Sequence, residues 1–165
     1  MRQNNTRRIA LCGVMAAVAV VIMCLGGIIP VATYVCPMLC CLTQFMILCF
    51  CGEKLAWTWF VAVGILSLIL GPDKEAAMVF VAIGCYPMLK PKFESRRLAV
   101  VLKVLFFNIS ILLMYAVMIN LLGMQEVAAE NAEFGFVGIV ILLLLGNVTF
   151  FLLDRLLTIV KLKVR

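Results

Sequence analysis

Histidine is absent from this 165-residue chain. That removes the commonest proton shuttle and the commonest transition-metal ligand. It also excludes Ser-His-Asp and Cys-His catalytic sets. No glycine-rich phosphate loop follows a strand, so nucleotide binding by that route is absent too. Charge is scarce, at 13% of residues, and acids are scarcer than bases, eight against fourteen. No Cys-x-x-Cys spacing occurs among the eight cysteines, and no histidine or carboxylate accompanies them. Cys36 and Cys40 share a helix face at i, i+4, which a soft metal could use. The plainer account is that cysteine packs in apolar runs as a small hydrophobe. No metal ion and no cofactor is expected.

What fills the chain is apolar: 66% of residues are hydrophobic and mean hydropathy is +1.21. Soluble domains hold about 45–50% apolar residues, so the composition is that of a polytopic protein of the lipid bilayer. The net charge of +6 does not indicate nucleic acid, because the bases flank apolar runs and form no solvated face. The first apolar run follows Arg7 and Arg8, lacks a clear small-x-small cleavage site, and is read as a retained first helix.

The expected architecture is all-α, one integral-membrane bundle of six transmembrane helices at about 9–25, 35–51, 55–70, 76–87, 98–122 and 134–160. Gly26, Gly27 and Pro30 break the first run. Pro37 is tolerated in the first turn of the second helix. Gln44 is that helix's buried amide, and its expected role is a hydrogen bond to a neighbouring helix. Trp57 and Trp59 stand where indoles favour the headgroup level. The fourth run is short for a span of about 20 residues, and Pro87 and Pro91 are expected to end it. Glu126, Glu130 and Glu133 read as an acidic loop before the last helix. With the N-terminus in the cytoplasm, every base except Lys74 falls on the inner side, which is the positive-inside pattern. Both termini are then cytoplasmic, and the expected location is the plasma membrane.

The polar turn Gly71-Pro72-Asp73-Lys74-Glu75 organises the rest. Pro72 stops the helix before it. Asp73 suits the N-cap of the next helix, and Glu75 its first turn. Beyond capping, charges at the mouth of a bundle can hold a polar solute. Tyr34, Asp73, Lys74, Glu75, Asn108, Tyr115, Asn120 and Asn147 are the candidate substrate-binding residues. Taken singly, each also suits a helix–helix contact. Asp154 beside Arg155 reads as a pair of snorkelling interfacial charges. Gly13 with Ala17, and Cys12 with Ala16, make small-x-x-x-small pairs that let another helix approach closely, whether from this bundle or from a partner.

Together these features resemble the S components of energy-coupling factor transporters: six spans in a short chain, both termini inside, a basic start Thr6-Arg7-Arg8-Ile9-Ala10-Leu11 leading into an alanine-rich helix, and a Gly/Pro-containing first outer loop. The resemblance implies a subunit without enzymatic activity that captures a vitamin-like small-molecule solute from outside. It implies partners as well: a membrane scaffold, docked through the first helix at Cys12, Gly13, Ala16 and Ala17, and paired cytoplasmic ATPases. A metal cargo is disfavoured, since the N-terminal histidine of metal-carrying relatives is missing. The alternatives are a structural or assembly subunit of a larger complex with no ligand of its own, and a membrane enzyme, for which Asp73 with Glu75 is the sole candidate pair.

Overall fold

The computed structural model describes the backbone of residues 2–26, 32–95, 98–120 and 125–164, and side chains within 6–26, 34–95, 98–120, 140–141 and 143–162. The expected break at Gly27 and Pro30, the bases Arg96 and Arg97, and the side chains of Glu126, Glu130, Glu133, Lys163 and Arg165 lie outside these. The described residues form seven helices: α1 Arg2–Gly26, α2 Ala32–Cys51, α3 Glu53–Leu70, α4 Lys74–Ile83, α5 Tyr86–Glu94, α6 Ala99–Asn120 and α7 Gln125–Val164. No strand occurs among them.

Five helices are long and apolar enough to cross a bilayer, over Thr6–Gly26, Tyr34–Cys51, Glu53–Leu70, Ala99–Asn120 and Leu143–Leu162. The sixth expected crossing, 76–87, differs. Helix α4 has 10 residues, about 15 Å at 1.5 Å per residue, half of a ~30 Å hydrocarbon core. The chain breaks at Gly84 and Cys85 and resumes as α5. Gly84 is required there by two close approaches, because a Cβ would come 2.6 Å from Phe60 Cε2 and 2.6 Å from the Phe80 carbonyl oxygen. Pro87 stands in the first turn of α5 and Pro91 inside it, where the sequence led us to expect a stop. A proline in the first helical turn forfeits no intrahelical bond, since those N–H groups have no partner anyway. Helix α7 also runs further back than expected. Its backbone is helical from Gln125, so the acidic segment is an extension of that helix and not a loop.

Local chemistry sets the other ends. Gly52 is the one residue between α2 and α3, and it takes φ +95°, a conformation that costs a glycine nothing. At the organising turn Asp73 caps α4, its Oδ1 accepting from the Ala76 N–H at 3.0 Å. The Gly71 N–H donates to the Ser67 carbonyl at 2.9 Å and closes α3.

Helix α2 lies at the centre, packed against α1, α3, α4, α5 and α7, while α6 packs against α4, α5 and α7. Its Cys36, Cys40, Cys41 and Cys51 are buried in the core, as small hydrophobes would be. Trp59 is buried as well, facing inward to α1 and α4: its Nε1 donates to the Cys12 carbonyl of α1 at 3.1 Å, and its ring meets Phe80 edge-on. Outward-facing positions carry Ile69, Leu113, Leu145 and Leu152, each more than half exposed. Such an apolar coat suits hydrocarbon and is foreign to a water-soluble monomer.

Candidate functional site

Polar side chains gather at both ends of the bundle and at one level between them. The first end holds the starts of α2 and α4 and the later turns of α6. There the Glu75 carboxylate accepts from the phenols of Tyr34, at 3.3 Å, and Tyr115, at 3.1 Å. Three of the candidate residues, from three helices and about 40 positions apart in sequence, therefore meet on one oxygen. Phenols that donate to a carboxylate present aromatic walls beside a fixed charge, the general form of a small-molecule site.

The other candidates at this end are occupied in the turn. Asp73 serves as the α4 cap. Lys74 reaches back along α3, its Nζ donating to the carbonyls of Leu68 at 2.7 Å and Gly71 at 2.9 Å. A cation there complements the partial negative charge of a helix C-terminus. Asn120 is exposed and donates to the Ala116 carbonyl of its own helix. Ser67 Oγ is buried without a hydrogen-bond partner among the described residues.

Deeper in the bundle, Asn108 and Asn147 form a reciprocal pair between α6 and α7, at 3.3 and 3.2 Å. Each amide also donates to the carbonyl four residues before it. Both N–H bonds of each are thus spent, which is how paired amides join helices in lipid. Gln44 in α2 departs from expectation. It is fully buried, and neither Oε1 nor Nε2 finds a partner among the described residues.

The second end carries a cluster the sequence did not reveal. It is built from Tyr86, Lys90 and Glu94, stacked at i, i+4, i+8 on α5, from Lys103 on α6, and from Asp154, Thr158 and Lys161 on α7. Asp154 Oδ1 accepts from the Tyr86 phenol and from Lys90 Nζ. Its Oδ2 accepts from Lys103 Nζ at 2.8 Å. Lys90 Nζ also donates to the Asp154 carbonyl at 2.7 Å and to Thr158 Oγ1 at 2.8 Å, so all three of its N–H bonds are used. The Lys90 side chain is 1% exposed and that of Lys103 9%. Asp154 is thus no snorkelling partner of Arg155: it points inward and Arg155 lies exposed. Neighbours at i, i+1 diverge on a helix, and the inward one found two ammoniums. Phe150, 4.6 Å away between ring centroids, closes over Tyr86 edge-on.

The two small-residue pairs of α1 separate. Cys12 and Ala16 turn inward and pack on the core. Gly13 and Ala17 are exposed, and a Cβ on Gly13 would meet nothing within 4 Å.

No protein-family model, curated protein or solved structure matches this chain.

Proposed function

We propose that the chain is the solute-capturing membrane subunit of an uptake system of the energy-coupling factor kind, set in the plasma membrane with both termini cytoplasmic. In this account α4 and α5 together make the sixth crossing. The convergence of Tyr34, Tyr115 and Glu75 carries the proposal. It lies at the end where the charge pattern leaves Lys74 as the sole base, the outer side by the positive-inside rule. The solute is held by the Glu75 carboxylate and the two phenols. Lys74 and Asp73 shape the turn that presents Glu75. Gly13 and Ala17 offer an outward face of α1 to a scaffold subunit, which paired cytoplasmic ATPases would drive. Cys12 and Ala16 serve the protein's own packing and leave the docking to the other pair.

The test is equilibrium binding to the purified chain of whatever small molecule it retains, compared between the native protein and Glu75→Gln, Tyr34→Phe and Tyr115→Phe. Loss of at least tenfold in affinity in Glu75→Gln is expected. Unchanged affinity in all three variants rejects the site. Docking is tested separately: Gly13→Leu with Ala17→Leu should abolish co-purification with the scaffold and leave thermal stability unchanged. The Asn108–Asn147 pair and the closed bonds of Asp154 favour a second account, a structural subunit whose polar residues only join helices. A retained solute excludes it.

A further inference from the structure

We infer that the cluster at the α5–α6–α7 end is a binding site for a phosphate group, and that Glu94 occupies the anion's place when the site is empty. Lys90, Lys103 and Lys161 converge on this one carboxylate at 3.4, 3.8 and 3.5 Å. These separations exceed the ~2.7–2.9 Å of a charge-assisted hydrogen bond. Asp154 meets Lys103 at 2.8 Å, within that range. Asp154 is therefore tightly bound, whereas Glu94 is held loosely, by one long hydrogen bond from Lys161 at 3.5 Å, and its side chain is 33% exposed.

Charge leads the same way. Among the described residues three ammoniums face two carboxylates, so one positive charge is left over even with Glu94 in place. If Glu94 swings out to water, two positive charges remain for an incoming anion. A phosphate monoester carries about −1.5 to −2 at neutral pH and a phosphodiester −1. Shape agrees as well: free phosphate or a monoester offers three or more oxygens and a diester two, enough for the two lysines that still have N–H groups to give, Lys103 and Lys161. Lys90 has spent its donors and contributes charge. Lys103, bonded to Asp154 by one N–H, and Lys161, 46% exposed, supply the hydrogen bonds. Lys161 stands at the end of the Leu143–Leu162 span, the depth of lipid headgroups. Both an anionic phospholipid headgroup and free phosphate present this chemistry.

The experiment is thermal unfolding of the full chain in uncharged detergent, titrated with inorganic phosphate, short-chain phosphatidylglycerol or short-chain phosphatidylcholine at constant ionic strength. A saturable rise in Tm is expected with at least one of the first two. Phosphatidylglycerol alone marks the lipid as source, phosphate alone marks the free ion, and both together mark a site that reads the phosphate group itself. Lys161→Gln should raise the apparent Kd at least tenfold, and Glu94→Gln should lower it about tenfold. Both changes spare the bonds to Asp154, so both variants fold. Absence of stabilisation by either anion overturns the proposal. So does a response to phosphatidylcholine equal to that for phosphatidylglycerol, or one Kd shared by the native chain and both variants.

Discussion

Replacing Asp154 by asparagine tests the second-end cluster most severely. The variant keeps the size of the side chain and removes its charge. Lys90 and Lys103, 1% and 9% exposed, then lose the carboxylate that each contacts. The new amide also places N–H donors opposite an ammonium, where an acceptor stood. Removing one partner of a buried ion pair costs about 3–5 kcal/mol, chiefly because the other charge is left without compensation. Here two ammoniums are left, while Glu94 at 3.4 and 3.8 Å offers partial relief. A loss of about 3 kcal/mol follows, at the low end of that range, or more than a hundredfold in the folding equilibrium. The assay is reversible unfolding in detergent or bicelles, with exposed Arg155→Gln as the control, expected within about 0.5 kcal/mol of the native protein. Lys103→Met in the Asp154→Asn background should restore part of the loss, with a coupling of at least ~1 kcal/mol in the double-mutant cycle. Equal stabilities for Asp154→Asn and Arg155→Gln would refute the claim that this carboxylate holds three helices together.

Gln44→Leu should leave stability unchanged or raise it by about 1–3 kcal/mol, since a buried amide without partners carries its full desolvation cost; a loss above 1 kcal/mol in the same unfolding assay would show that the amide is paired. Gly84→Ala should destabilise by about 1–3 kcal/mol through clashes with the Phe60 ring and the Phe80 carbonyl oxygen, and Phe60→Leu should relieve only the first; unchanged Tm would mean that the α4–α5 break tolerates a side chain. Asn108→Leu and Asn147→Leu should each cost about 0.6–1.7 kcal/mol, with the double variant costing less than the sum; strict additivity would show that the two amides do not interact.

The long spans were legible because each carries its own signal in its apolar length, and the Asp73 cap was legible because capping is local. The prolines signalled an end to α4 but misplaced it: the interruption falls at Gly84 and Cys85, where the Phe60 ring and the Phe80 carbonyl leave no room for a Cβ on Gly84. At the first end, the polar turn indicated Glu75, and the two phenols were found as outer-half polar residues. That Lys74 turns back onto α3 depends on the direction its side chain takes, which composition does not give. The second-end cluster was missed because its members stand far apart, Lys103 and Asp154 by 51 positions and Lys90 and Asp154 by 64. One signal was present. Lys103 and Asp154 each sit inside an apolar helix, and opposite charges at membrane depth call for one another. Reading Asp154 as an interfacial neighbour of Arg155, and Lys103 only as one of the inner-side bases, hid the pair. Nearness to a helix start likewise says nothing of which face an indole takes, and Trp59 faces α1.

The most direct test of solute capture is native mass spectrometry of the gently purified chain beside Glu75→Gln prepared in parallel. The account predicts a discrete small-molecule adduct on the native protein that is absent or much reduced in the variant. Identical spectra for the two, with the same adducts or with none, would contradict it.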